Sequence, residues 1–258
     1  MSDDSEDQRG KSDAVLLRGA KAHMAESAAQ RKDEHPITGW RLQLPLIGSL
    51  IGLAVLIFLI AWLQNWEAVA IGYVFLYTIV SALVSLLTYL LVKGLASHVR
   101  REAMFRRGAL EYLRATASAG GQSAQIGNEL SSLESIERDA ANNEKIPTAL
   151  YTAFGALPLV GIFVTLYYLR ALETVPPTHQ RRWSAFVLQV SSAGTKLGLR
   201  PGIRAPAATG RSRFVLFAIA TILLPPVLVI WYHLLVKENA EHLRGQAVDE
   251  DAVIRLLA

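Results

Sequence analysis

The sequence predicts an all-α integral membrane protein with four transmembrane helices in two hairpins, each followed by an amphipathic juxtamembrane helix. Apolar residues make up 52% of the 258-residue chain, and charged residues only 19%. The apolar residues cluster in four runs at about 44–63, 70–92, 148–172 and 214–236. Each run has about the 20 residues with which a helix crosses hydrocarbon while bonding all its backbone groups internally.

An internal repeat is the second observation behind this architecture. The segments Leu90–Glu102 and Leu234–Gln246 align without a gap, so that Lys93 matches Lys237. Each copy follows an apolar run, and each therefore marks a point where a membrane helix enters water. The number of crossings between the two copies must then be even.

Residues 1–42 form a polar N-terminal tail. Met1–Asp13 is acid-rich, which is typical of a disordered terminus. Ala14–Lys32 is either a short helix on the membrane surface, held by cations at anionic head groups, or a solvated tail. No signal peptide is evident, so we expect the first apolar run to be a retained anchor with the N-terminus in the cytoplasm.

The first hairpin and its arm occupy residues 43–114. Gly48 and Gly52 lie on one face of the first helix, a spacing that favours close helix packing. Hydroxyl side chains follow helical spacing in the second helix, at Thr78, Ser81, Ser85 and Thr88. They indicate hydrogen bonds at a helix-packing seam. A pore lining is the alternative, but both helices lack the acids and bases typical of ion paths.

The arms that follow the two hairpins are predicted to pack against each other. Apolar residues recur at helical spacing in both, as at Leu110 and Leu113 and at Ile254 and Leu257. The charges are reversed between Arg106, Arg107 and Glu111 in the first arm and Glu250, Asp251 and Arg255 in the second. Matched stripes with opposite charges favour pairing. Two independent helices lying on the membrane are the alternative.

The N-terminal part of each arm carries the same three residue types, at Lys93, His98 and Arg100 and at Lys237, His242 and Arg244. We expect these residues to face lipid head groups or a partner. If the two histidines met, they could bind a metal or respond to pH near neutrality. Separate histidines at helix ends are more typical of interfacial anchors, so no metal and no cofactor is predicted.

Residues 115–147 are predicted as a polar linker with a short helix at about 125–142, and residues 148–258 as the second hairpin and arm. Proline interrupts both later apolar runs, at Pro158 and at Pro225-Pro226. The segment between these runs, 170–213, contains a third His-x-Arg element at His179 and an amphipathic stretch at Trp183–Leu199.

The segment 170–213 also holds eight of the 26 Lys and Arg residues. This number conflicts with an outer location, because cations collect in cytoplasmic loops. Two full spans remain the main expectation for the later runs. In the alternative, both proline-broken runs dip into the membrane and return, which keeps everything after the second helix cytoplasmic.

The segment Gly161-Ile162-Phe163, followed by Tyr167-Tyr168 and Arg170, resembles a stretch of small, uncharacterised prokaryotic multi-pass membrane domains. In those domains a Gly-Ile-aromatic turn leads to an aromatic-rich helix end and then to a basic segment with a histidine. The match departs at Val175-Pro176-Pro177. The resemblance implies a prokaryotic integral membrane protein without an assigned activity, and it carries over no functional residue.

No catalytic constellation emerges from the sequence, which lacks cysteine, a His-Glu-x-x-His motif, a nucleophile elbow and a phosphate-binding glycine loop. We therefore expect a non-enzymatic multi-pass protein of the cell membrane, a scaffold or regulatory subunit that acts through paired cytoplasmic arms. A small transporter or channel subunit is the alternative. The expected partners are the bilayer, its anionic head groups, and a second copy or another membrane protein, but no nucleic acid.

Overall fold

The computed structural model describes residues 3–31, 66–144, 158–199, 203, 213–223 and 227–257, with scattered residues between 47 and 62. The helices within these ranges are α1 (Asp3–Gln30), α2 (Trp66–Ala119), α3 (Gly127–Asn143), α4 (Pro158–Lys196), α5 (Phe214–Leu223) and α6 (Val227–Leu257). The described residues contain no strand, so the all-α prediction is confirmed.

Within the described ranges, we find no helix whose apolar stretch would reach across a bilayer. The predicted spans belong to these ranges only in part. Most of run 44–63 lies outside the described residues, as do residues 148–157 of the third run and 224–226 of the fourth.

The arms are continuations of the preceding helices and not separate juxtamembrane helices. α2 runs unbroken through Lys93 for 54 residues, a length of about 80 Å at 1.5 Å per residue. α6 likewise continues through Lys237. The predicted break is missing because neither copy of the repeat contains a proline that would interrupt the backbone hydrogen bonds.

The segment predicted as a loop after the third run is also helical. α4 continues to Lys196 and includes Pro176 and Pro177. Proline inside a helix costs about 3 kcal/mol. The flanking residues Leu172 and Trp183 are both buried, and this burial offsets the cost and carries the helix through the predicted boundary.

Three of the helices, α2, α4 and α6, run in the same direction. Toward its N-terminus, each contributes a leucine to one buried apolar cluster, namely Leu91, Leu172 and Leu235. Toward its C-terminus, each contributes to a second cluster, with Leu113, Val190 and Leu257. The N-terminal parts of the three helices contact one another, and so do their C-terminal parts. The three helices are therefore parallel.

α5 and α6 form an antiparallel hairpin. Arg213, just before α5, pairs with Glu238 of α6. The Phe217 ring stacks on Trp231, with ring centroids 5.6 Å apart. The start of α5 therefore lies beside residues well inside α6, so the two helices are antiparallel.

The direction of α4 and the α5–α6 hairpin differ from the simple alternation that two further full spans would show. Successive spans alternate in direction, so a third span would run opposite to the second. The described part of α4 instead runs parallel to α2, and the fourth run turns back on itself. The membrane arrangement of these two runs stays a prediction, because residues 148–157 and 224–226 lie outside the described residues.

The described part of the N-terminal tail is helical and not disordered, from Asp3 to Gln30. α1 packs antiparallel to α2, with Ser27 Oγ donating to the carbonyl of Arg101 and Met24 lying near Gly108. Ala20 and Met24 are buried at this contact. Burial of one face stabilises a helix whose composition alone would not.

Candidate functional site

Three histidines meet where the three parallel helices converge. His98 belongs to α2, His179 to α4 and His242 to α6. Each pair of ring centroids is 5.5 Å apart, and each pair of rings meets edge to face. One donor nitrogen from each ring lies within 4.8 Å of the others. We call this group the three-histidine cluster.

A shared spacing places the histidines at one level. Each follows the buried leucine of its own helix by two turns, as seen at Leu91 and His98 and again at Leu172 and His179. Leu235 and His242 repeat the spacing. A seven-residue step keeps side chains on one helical face. Since the leucines meet, the histidines of parallel helices meet as well.

The three-histidine cluster is largely shielded from solvent. His98 and His179 are 1% and 0% exposed, and His242 is of intermediate exposure. The Nε2 atom of His242 is nevertheless buried and has no hydrogen-bond partner. Burial, together with the neighbouring His98 and His179, lowers the pKa of His242 to about 3. His242 is therefore neutral at physiological pH.

His179 lies between two buried carboxylates. Its Nε2 pairs with Glu102, and its Nδ1 lies 3.2 Å from Oε1 of Glu144. Burial by itself would lower the pKa of His179, but the two carboxylates outweigh this effect and raise the pKa to about 9. Burial likewise opposes the charge of Glu102, yet His179 and Arg106 hold its pKa well below the usual range.

Further polar side chains fix the cluster in place. Gln246 donates from Nε2 to Glu102, and its Oε1 lies 2.8 Å from Nε2 of His98. Arg106 pairs with Glu102 and also with Glu137, at 2.9 Å. Glu102 therefore has partners on α2, α4 and α6, and its orientation is determined from several sides.

A cavity of about 340 Å³ lies between α2 and α3 beside these carboxylates. Its lining includes Arg100, Arg106, Glu137 and Glu144. Two of these, Arg106 and Glu144, also contact members of the polar network around His179. The cavity therefore brings solvent space close to the three-histidine cluster.

The two arms do come together, but the predicted charges have other partners. Arg106 and Arg107 bind Glu137 of α3. Glu250 binds Arg101 at 2.9 Å and Arg31 at 3.1 Å. The remaining predicted positions are exposed, with Asp251 bound to Arg31, Glu111 near His23, and Arg255 on the surface. Charge reversal between the copies thus reflects their different neighbours.

The residues predicted to face lipid divide into two groups. Lys93, Arg100, Lys237 and Arg244 are exposed. His98 and His242 instead turn inward into the three-histidine cluster. Of the predicted packing residues, Ser85 is buried, Gly52 is of intermediate exposure, and a Cβ at Gly48 would meet no described atom within 4 Å. The side chain of Ser81 lies outside the described residues.

Comparison of the chain with protein-family models, curated proteins and solved structures gave no match. The geometry alone therefore defines the site. The sequence had indicated His98 and His242 through the repeat and His179 as a third echo, but it did not join the three. It also missed Glu102 and Glu144, because a glutamate on a long helix carries no pattern that distinguishes it from a solvated surface residue.

Proposed function

We propose that the protein is a membrane-anchored, non-enzymatic scaffold or regulatory subunit, with an apolar end in the bilayer and a helical core on the cytoplasmic side. One observation carries this proposal. Large apolar side chains are exposed near the N-terminal ends of α2 and α4 and around the α5–α6 hairpin, at Ile71, Val74, Phe163, Val215, Leu216, Ile219 and Ile230. Other large apolar side chains of the helices are exposed elsewhere, at Val15, Leu16, Met104, Leu188 and Val248. The denser group at the helix starts and the hairpin fits lipid better than water.

The direction of the parallel helices supports this placement. Ile71 lies 73% exposed near the start of α2, and Phe163 is equally exposed near the start of α4. The opposite ends of these helices carry the second apolar cluster, which α1 and α3 cover. Ile71 and Phe163 therefore lie at a different level along their helices from the polar network.

The proposed topology has two crossings, at runs 44–63 and 70–92, followed by two re-entrant hairpins. All 26 Lys and Arg residues then lie on the cytoplasmic side, which agrees with the positive-inside rule. Exposed Lys93 and Lys237 would lie near anionic head groups. The bilayer and its anionic lipids are thus the expected partners, together with a further protein on the helical core.

The transporter alternative gains no support from the hydroxyl stripe. Thr78 donates to the carbonyl of Val74 in its own helix and is exposed, whereas Thr88 is buried against Tyr232 of α6. Hydroxyls with such different surroundings do not describe one continuous lining.

Single-cysteine labelling tests the topology without background, because the sequence contains no cysteine. We would compare Gly198→Cys, after α4, with Ser118→Cys, near the end of α2. Both residues are exposed. A membrane-impermeant thiol reagent should label both variants in inside-out vesicles and neither in intact cells.

Two outcomes would contradict the proposal. Labelling of Gly198→Cys from outside the cell would restore the four-span arrangement. Release of the protein from membranes by alkaline carbonate would remove the membrane anchor altogether. A Val215→Cys variant serves as a depth control, because its side chain lies in the apolar end and should stay unlabelled until detergent is added.

A further inference from the structure

We infer that His98, His179 and His242 form a binding site for one divalent transition-metal ion of the zinc class. This function goes beyond membrane anchoring and does not depend on it. The site uses one ligand from each of the three parallel helices, so it exists only in the folded chain. The sequence alone had predicted no metal.

The separation of the rings matches a shared central ion. With a Zn–N bond of about 2.0 Å, the centroid of an imidazole lies about 3.2 Å from the metal. Three such rings at tetrahedral angles would have centroids about 5.2 Å apart, and at trigonal angles about 5.5 Å apart. The observed separation is 5.5 Å for all three pairs. The three distances are also equal, as expected for three ligands arranged around one ion.

The unpartnered Nε2 of His242 is the second observation. It is buried and accepts no hydrogen bond, although an unsatisfied buried polar atom costs about 1–3 kcal/mol. Imidazole binds a metal through an unprotonated ring nitrogen, and no hydrogen bond occupies this one. A cation at the centre of the cluster would satisfy this atom.

The donor set selects the class of ion. Three imidazoles favour zinc, copper, nickel, cobalt or iron over magnesium and calcium, which prefer oxygen ligands. Without the ion, Nε2 of His179 contacts Glu102 and Nδ1 faces Glu144, so the ion binds His179 only by displacing a proton from one of these nitrogens. Catalytic zinc sites commonly combine three protein ligands with a fourth position held by water or substrate. Arg106 and Gln246 contact Glu102 and fix its orientation, as outer hydrogen-bond partners do around metal ligands.

A structural polar layer is the competing explanation for the cluster. Buried polar residues can specify the register of packed helices without binding anything. The two explanations differ over His242. A layer that fixes register through hydrogen bonds has no use for an atom without a hydrogen bond, whereas a metal ligand needs such an atom.

The test uses the full-length chain in detergent micelles, stripped of metal with a chelator and then titrated with ZnCl₂ against a chromophoric competitor. We expect one Zn²⁺ per chain and a rise in the thermal unfolding midpoint as the ion binds. Co²⁺ should give the visible absorption of a low-coordinate nitrogen-ligated ion. His242→Asn should weaken Zn²⁺ binding by more than the roughly 100-fold that loss of an outer partner costs. Glu102→Gln should weaken it by at least about 10-fold.

The chain supplies its own matched control, because His23 and His233 are described histidines that are not part of the cluster. A double variant, His23→Asn with His233→Asn, should bind Zn²⁺ as the wild type does. Equal binding by His242→Asn, or loss of binding in the control variant, would overturn the proposal. If His242→Asn does not fold, the wild-type Co²⁺ spectrum decides, since a spectrum of fully hydrated Co²⁺ would also overturn it.

Discussion

Gln246 donates a hydrogen bond from its side-chain amide to the carboxylate of Glu102, the residue that matches it in the repeat, 144 positions earlier. The same offset joins Thr88 to Tyr232, whose hydroxyls are hydrogen-bonded. Matching positions therefore face each other in register, and the two copies run side by side in the same direction. The repeat is a pairing of helices as well as a resemblance in sequence.

The buried ion pair between Arg101 and Glu250 should couple the two arms. Both side chains are almost fully buried. Arg101→Met leaves the Glu250 carboxylate without its closest cation, and we expect a loss of about 3 kcal/mol or more in the free energy of unfolding. Glu250→Gln should cost less, because burial already raises the pKa of Glu250 and so disfavours its charge.

A double-mutant cycle measures this coupling, with urea unfolding in detergent followed by tryptophan fluorescence. The double variant should lose less stability than the two single variants together, because neither charge is then left unpaired. Exposed Lys93→Met is the control and should change stability by less than about 0.5 kcal/mol. Strict additivity of Arg101→Met and Glu250→Gln would show that the pair does not join the arms.

Charge exchanges at the positions that the sequence predicted to pair should instead have additive effects on the free energy of unfolding. Arg106 and Arg107 bind acids of α2 and α3, whereas Glu250 and Asp251 bind Arg101 and Arg31. Exchanging the charges of Arg107 and Asp251, both exposed, should therefore give no compensation within about 0.5 kcal/mol. Recovery of stability in the double swap would mean that these residues meet after all.

Local patterns in the sequence were sufficient to predict the helices but not to predict where each helix begins and ends. The predicted helix at about 125–142 agrees closely with α3, Gly127–Asn143, because its apolar spacing and flanking glycines are local features. The ends of α2 and α4 depend on tertiary packing. No local pattern shows that Pro176 and Pro177 lie inside a helix, since the burial that offsets them comes from other helices.

The candidate site could likewise be predicted from the sequence only in part. The repeat brought His98 and His242 into correspondence, and side-by-side pairing of the copies brings them into contact. His179 belongs to α4, which lies outside the repeat. It reaches the other two histidines only because α4 runs parallel to α2 and α6. Whether a charged residue is buried is likewise a property of the assembled bundle. Glu102 has 0% side-chain exposure, yet its sequence position resembles that of any solvated helix residue.

Two glycines in the helical bundle should respond in opposite ways to alanine. A Cβ at Gly194 would lie 2.9 Å from Cδ2 and 3.3 Å from Cγ of Leu256, which is buried in the second apolar cluster. Gly194→Ala should therefore destabilise the protein by about 1–3 kcal/mol through overpacking. A Cβ at Gly245 of α6 would meet no atom within 4 Å. Gly245→Ala should stabilise by about 0.4–1 kcal/mol through helix propensity and chain entropy.

Urea unfolding midpoints of the two glycine variants, measured under one condition, check this contrast. Leu256→Ala should relieve the overpacking, so that Gly194→Ala costs less in that background than in the wild type. Destabilisation by Gly245→Ala, or a neutral Gly194→Ala, would be inconsistent with the contact between α4 and α6.

The contribution of Asp249 to stability should fall as pH rises from about 3.8 through its raised folded pKa. Burial raises the pKa of Asp249, although the Trp183 indole donates to its Oδ2 at 3.1 Å and favours the charged form. The folded state therefore binds the proton more tightly than the unfolded state does. This contribution to stability is fully present below the unfolded pKa, near 3.8, and is lost as pH rises through the higher folded pKa.

Asp249→Asn isolates this effect, because an amide oxygen still accepts from Trp183 but does not titrate. The difference in urea midpoint between variant and wild type cancels the other carboxylates, whose titration both proteins share. Between pH 4 and pH 7, we expect the stability of the variant relative to the wild type to rise with pH until the folded pKa of Asp249 is passed, and to stay constant above it. A difference that stays constant over this interval would place Asp249 in water, with its ordinary pKa, and would remove the contact that links α6 to α4 below the three-histidine cluster.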